Sequence, residues 1–145
     1  MIRRFGENIV SGKRYKVRAG VYAILPLAGD LLVTYQAKPA PEFQLPGGGV
    51  DPGESPLHAL HREVIEETGW KIATPRKLGV FRKFTYMPEY DLWAEKICHI
   101  YLARPVRALG YPSEQDHTAV WMNGQHASNL LANEGDCHFV RQWFG

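Results

Sequence analysis

The sequence predicts a mixed α/β (α+β) sandwich, built as one domain over residues 1–145. Short apolar runs rich in Val, Ile, Tyr and Phe recur along the chain, bounded by Gly, Pro and Asp. One capped amphipathic segment interrupts them near the middle, and helical patterning returns only at the end. With 145 residues, 45% apolar and 22% charged, the chain is long enough to close one core and has an ordinary globular composition.

The elements follow in order. "AGVYAILPL" (19–27) and "LLVTYQ" (31–36) read as strands joined by a hairpin at Ala28-Gly29-Asp30. "FQLPGGGVDPGE" (43–54) reads as a loop whose glycines let the backbone come close to a ligand. Ser55 is placed as an N-cap, Pro56 as the first helical residue and Gly69 as the stop, giving a helix over 56–68. Leu57, Leu60 and Val64 form its apolar stripe. "WKIA" (70–73), "KLGVFRKFTYM" (77–87) and "EKICHIYLARPV" (95–106) read as strands, with "PEYDLW" (88–93) as a loop. "HTAVWM" (117–122) is a last strand, followed by helical turns near 124–131 and 137–144.

Composition excludes several classes. No apolar run reaches the ~18 residues of a membrane span, and the start lacks the apolar stretch of a secretory signal. Cys98 and Cys137 have no CxxC spacing and fit reduced thiols, so a cytoplasmic location is expected. Residues 1–18 carry Arg3, Arg4, Lys13, Arg14, Lys16 and Arg18 against Glu7 alone. That block reads either as a solvated edge or as a surface attractive to polyphosphate or an RNA end. No aromatic–basic signature of a dedicated DNA- or RNA-binding module accompanies it.

Residues 62–70, "REVIEETGW", hold the strongest chemical signal. Glu63, Glu66 and Glu67 stand at i, i+3 and i+4, so their carboxylates share one helix face. At ~6 Å in water each pair repels by about 0.7 kcal/mol, and by more beside a low-dielectric surface. Such a face is either solvated or built to hold a cation. "HREVIEE" lacks the HExxH spacing of a zinc protease, "GGG" at 47–49 lacks the Lys of a P-loop, and His58 and His61 read as flanking residues.

Extended backwards, the stretch becomes "GGVDPGESPLHALHREVIEETGW" (48–70), which resembles the Nudix box. Gly48, Glu54, Arg62, Glu63, Glu66, Glu67 and Gly69 match its fixed positions and Val64 its apolar one, with Trp70 a mild departure. The resemblance implies a Nudix-like α/β/α sandwich with a central mixed β-sheet. It also implies Mg²⁺, with Mn²⁺ as the other fitting ion, held by Glu63, Glu66, Glu67 and the Gly48 carbonyl. Glu54 and Arg62 become an orienting ion pair. Glu114, in the loop before the last strand, stands where many Nudix enzymes place an extra glutamate as ligand or base, with Asp116 a weaker candidate.

The implied activity is cleavage of a diphosphate bond in a nucleoside-diphosphate-linked small molecule. The placement of Tyr86, 16 residues beyond Trp70, resembles that in diadenosine polyphosphate hydrolases, which favours a dinucleoside polyphosphate. Thr85 replaces the proline of ADP-ribose pyrophosphatases. "ANE" at Asn133 resembles the branch that reads an oxidised purine nucleoside triphosphate, and Arg18 with the basic start fits phosphate chains or an RNA 5′ end. The non-enzymatic alternative is a nucleotide-binding sensor on the same fold. Tyr86 could equally be a core residue; Tyr22, Tyr35 and Phe43 read first as core and otherwise as further walls of a base pocket.

Overall fold

The computed structural model describes residues 2–144; the two end positions of the expected 1–145 domain lie outside the described residues. Its strands are β1 (Arg3–Gly6), β2 (Lys16–Ile24), β3 (Pro26–Leu27), β4 (Asp30–Gln36), β5 (Glu42–Gln44), β6 (Gly47–Gly49), β7 (Trp70–Met87), β8 (Leu92–Ala108) and β9 (His117–Asn123). The helices are α1 (Pro56–Thr68), α2 (Gly124–Leu130) and α3 (Glu134–Phe144), with a 3₁₀ turn at Pro88–Tyr90. A five-stranded sheet runs β1-β7-β8-β2-β6, and a four-stranded sheet joins β3, β5 and β9 to β4. β2 lies parallel to β8 and β1 parallel to β7, while the other pairs are antiparallel, so the larger sheet is mixed as expected.

Strand alternation divides the core in two. Val21, Ala23 and Leu25 meet Ala59, Leu60 and Val64 of α1 on one side, with Leu32 and Tyr101. Ile24, Leu31, Val33, Phe81, Cys98 and Ile100 meet Ala127, Cys137 and Val140 of α2 and α3 on the other. The sheets are thus enclosed between helices, the α/β/α arrangement. Leu57 is 47% exposed and Ala59 takes its expected place in the stripe, because the sheet approaches α1 one position round the helix. Among the described residues, no helix is long and apolar enough to cross a membrane.

Several boundaries move. The run 19–27 splits at Leu25, because Pro26 lacks an N–H for the β2 ladder and opens β3 in the other sheet. β3 and β4 form the expected hairpin, with Ala28 and Gly29 both at positive φ, 52° and 87°, as a type I′ turn requires. The segment read as one loop contains β5 and β6, whose glycines hide their pairing from any propensity scale. The strands expected at 70–73 and 77–87 are one strand, β7, carrying register shifts between Lys71 and Ile72, Ala73 and Arg76, and Lys77 and Gly79. β1 was not anticipated, and α3 begins earlier than 137 because Asn133 Oδ1 accepts from the Gly135 N–H at 2.9 Å.

α1 spans the expected 56–68. Ser55 Oγ accepts from the His58 N–H at 3.1 Å, and Gly69 closes the helix in the left-handed region at φ 75°. A Cβ on Gly69 would collide with the Gly110 carbonyl. Gly69→Ala is therefore expected to destabilise the protein by ~1–3 kcal/mol, read by urea unfolding. Unchanged stability would show that residues 109–111 give way freely.

Candidate active site

Arg62 organises the acidic face. Its Nε donates to Glu54 Oε2 at 2.7 Å and its Nη2 to Glu54 Oε1 at 2.8 Å, a bidentate pair. Nη1 donates to Glu63 Oε1 at 2.9 Å and lies 3.2 Å from Glu66 Oε2, while Nη2 also reaches the Gly49 carbonyl at 3.2 Å. Glu54 further accepts from the Asp51 N–H at 3.0 Å and meets His58 Nδ1 at 2.8 Å. The Arg62 hydrogen bonds hold the Glu54 carboxyl well below the usual carboxylate range, and Glu54 in turn raises the guanidinium further. One arginine on α1 thereby ties down the loop that follows β6.

The three glutamates are not equivalent. Side-chain exposure falls from 34% at Glu66 to 16% at Glu63 and 10% at Glu67. Glu67 Oε1 accepts from the Gly47 N–H at 3.0 Å. Burial pushes Glu67 up to about 8, with the charges of Glu63, Glu114 and Glu66 adding to it. Burial also raises Glu63. Glu114 reaches this cluster through the backbone: its N–H donates to the Glu66 carbonyl at 2.8 Å, and Leu109 N–H donates to the Gly69 carbonyl at 2.7 Å. Carbonyls left over at the C-terminus of α1 thus recruit the 109–114 segment.

His117 and Thr34 complete the buried end, and the sequence reading missed both. Thr34 Oγ1 donates to the Glu67 carbonyl at 3.3 Å and lies 2.8 Å from His117 Nδ1. The other ring nitrogen, Nε2, faces Glu67 Oε2 at 3.8 Å. Burial lowers the His117 pKa as it raises that of Glu67, so the shared burial favours the uncharged form of each. The only sequence signal was a histidine opening the strand after the Glu114 loop.

Hard carboxylate and carbonyl oxygens of this kind fit Mg²⁺ or Mn²⁺. A Cβ on Gly48 would fall 2.5 Å from Glu63 Cδ, so only glycine lets this backbone approach the carboxylates. Among the described residues no three acidic, His or Cys side chains form a closed metal cage. The arrangement is an open rim, suited to an ion that keeps waters and shares its coordination with a phosphate.

Across the 49–52 loop lies a cavity of about 450 Å³, lined by Lys16, Arg18, Lys96, Tyr22, Met87 and Tyr90 among others. Gly49 and Asp51 border both the cavity and Arg62. Among the described residues none of the three cations has a carboxylate partner, and burial lowers the Lys96 pKa. Arg18 lies 5.9 Å from the Tyr90 ring. The basic N-terminal block is thus divided: Lys16 and Arg18 face the cavity, whereas Lys13 covers the Trp93 ring at 5.1 Å.

Tyr86 stands elsewhere. Its hydroxyl donates to Asp91 Oδ1 at 2.6 Å and its ring packs 4.8 Å from Trp93, while Met87, next along β7, faces the cavity from the opposite side of the strand. The Tyr86 ring expected to stack on a base thus lies outside this cavity, whereas Tyr22 and Tyr90 line it. Asn133 caps α3 and does not line the cavity. Asp116, at φ 66°, forms the turn before β9.

The model of the NUDIX domain matches residues 14–143. A Helicobacter pylori (strain ATCC 700392 / 26695) protein named RNA pyrophosphohydrolase is 41% identical over 121 residues, 80% of this chain and 63% of that one. A Bacillus subtilis (strain 168) protein, whose name suggests an 8-oxo-dGTP diphosphatase, is 36% identical over 74 residues, 51% of this chain and 50% of that one. The chain therefore spans half to less than two thirds of these relatives. The solved MutT NUDIX hydrolase of Burkholderia pseudomallei superposes with a TM-score of 0.70 at 22% identity, covering 88% of this chain and 98% of that one, a likeness of fold.

The raised Glu67 pKa has a sign. A carboxyl at about 8 when folded and ~4.3 when unfolded costs stability progressively as pH rises between those values. Glu67→Gln keeps the acceptor for Gly47 and removes the ionisation. In EDTA the variant is expected to melt above the parent at pH 8.5, with the advantage shrinking towards pH 5. An advantage independent of pH would remove ionisation of Glu67 as its cause.

Proposed function

The chain belongs to the Nudix family, and from that premise we propose that it hydrolyses a phosphoanhydride bond in a nucleoside 5′-polyphosphate, at an RNA 5′ end or in a free nucleoside triphosphate. One observation carries this reading. An acidic rim suited to a divalent cation and a cavity whose three cations have no carboxylate partner among the described residues share a single loop wall. Such a wall lets a phosphate chain cross from one to the other, with its cleaved bond at the carboxylates and its remaining charge at Lys16, Arg18 and Lys96. The names of the Helicobacter and Bacillus relatives support the same two substrate types.

In this reading Glu63, Glu66, Glu67 and the Gly48 carbonyl hold Mg²⁺ or Mn²⁺, with Glu114 as a further ligand or base. The ion, when bound, neutralises phosphate charge and activates the attacking water. Glu54 and Arg62 position the loop and two of the carboxylates. Glu67 would join that set as the ionised carboxylate, with His117 Nε2, 3.8 Å from its Oε2, the neighbouring group that could take the proton. Tyr90 offers a face for the base, and Arg18 steadies both that ring and the phosphates.

The dinucleoside polyphosphate reading rested on Tyr86, whose side chain is engaged with Asp91 and Trp93. It ranks below the nucleoside triphosphates and the RNA end for that reason. A sensor without turnover has no need of the complete carboxylate set.

Two measurements test this. Glu66→Gln and Glu67→Gln should each lower kcat by at least ~10²-fold, and EDTA should abolish turnover. Full activity in EDTA, or in both variants, would overturn the metal-dependent reading. In parallel, product release should be compared for a 5′-triphosphate RNA, GTP, 8-oxo-dGTP, diadenosine tetraphosphate and ADP-ribose. The first three should lead and ADP-ribose should trail; Arg18→Ala should raise KM by about tenfold for the triphosphates, and Tyr86→Ala should leave it unchanged. ADP-ribose turning over fastest would overturn the substrate class.

A further inference from the structure

A second cavity, of about 390 Å³, opens at the far end of β8 between Pro26, Thr74, Arg76, Leu102, Arg104 and Trp143. Lys96 of the first cavity and Arg104 of the second lie eight residues apart on β8, roughly 26 Å at about 3.3 Å per residue. The two are separate sites.

Two cations share the face of this cavity. Arg76 pairs across the ladder with Leu102, so Arg104, two residues on, projects from the same side of the sheet as a diagonal neighbour ~7–8 Å away. The bulge between Ala73 and Arg76, with Thr74 held at φ 50°, borders this pair, since Ala73 is the residue directly opposite Arg104. The arginine ion pairs of the described residues belong to Arg62 and Arg82, so neither guanidinium has an acidic partner there. Both arginines are exposed, so water screens their mutual repulsion and their forks point into solvent without an acidic partner among the described residues.

The remaining walls narrow the ligand. Trp143 presents an indole that is 44% exposed, against an apolar floor of Pro26 and Leu102. Paired guanidinium forks match a phosphate, and an indole face matches a planar base. The volume falls within the range of small-molecule sites. We infer that this cavity binds a nucleotide monophosphate unit, its phosphate between Arg76 and Arg104 and its base against Trp143. The inference does not rest on the catalytic reading.

AMP is the probe, since it has no phosphoanhydride bond to lose. In the ¹H–¹⁵N spectrum the Trp143 indole N–H, assigned by its disappearance in Trp143→Phe, should shift saturably as AMP is added. Arg76→Ala/Arg104→Ala should weaken that response by about tenfold or more and leave kcat on the preferred substrate unchanged. Arg104→Lys, which keeps the charge and loses the fork, should weaken it less than Arg104→Ala. Adenosine and inorganic phosphate should each bind more weakly than AMP. A 5′-hydroxyl RNA pentamer that binds more tightly than AMP would support the site and assign the nucleotide to an RNA strand. No shift of the Trp143 indole with AMP, an undiminished shift in the double alanine variant, or inorganic phosphate matching AMP would overturn the inference.

Discussion

The Arg62 guanidinium, locked bidentately onto Glu54, supports most of what surrounds it. It faces Glu54, Glu63, Glu66 and Asp51 at once, at N···O distances from 2.7 to 3.5 Å. One cation set among four carboxylates offsets part of their mutual repulsion, most where the pair is least exposed. Lysine would not serve as well, since Nε, Nη1 and Nη2 point to different partners at fixed angles. Because Glu54 and the Gly49 carbonyl belong to the loop and Arg62 to α1, the same contacts set the position of loop and helix relative to each other.

α1 is held at both ends by otherwise unpaired backbone groups. At its start Ser55 takes up the His58 N–H, and at its end the 109–114 segment takes up the Glu66 and Gly69 carbonyls. The second arrangement carries a chemical consequence, since it brings Glu114 within electrostatic reach of Glu63 and Glu67. β6 completes the frame. Antiparallel pairing of Gly47 with Tyr22 leaves the Gly47 N–H turned towards Glu67, and a Cβ at Gly47 would strike the Val21 carbonyl. Glycine here meets a steric demand of sheet and helix together.

Charge is laid out with a sharp boundary. Carboxylates gather on the α1 side of the 49–52 loop and cations on the β2–β8 side. Buried Glu67 and Lys96 shift in opposite directions from their usual values for one reason, the cost of charge away from water. Each would be relieved by a ligand of the opposite sign, a cation on one side and a phosphate on the other. The separation also limits cross-neutralisation that would waste both surfaces.

Much of this was legible in the chain itself. Local chemistry determined α1 from Ser55 to Gly69, the hairpin at Ala28-Gly29, the apolar alternation of β2 and β4, and the i, i+3, i+4 spacing of the glutamates, because each depends on residues within a turn or two. Tertiary structure alone decided the rest. β6 is built of glycines and has no pattern until β2 pairs with it, and Tyr86 is a candidate for the base until strand alternation sends Met87, and not Tyr86, to the cavity. Glu67 was one of three like carboxylates in the sequence, and became the most buried of them, pushed up to about 8, only when Gly47, Thr34 and His117, 20, 33 and 50 positions away, enclosed it. Helix faces follow from spacing along the chain, whereas burial and the charges it shifts follow from which distant segments fold against that face.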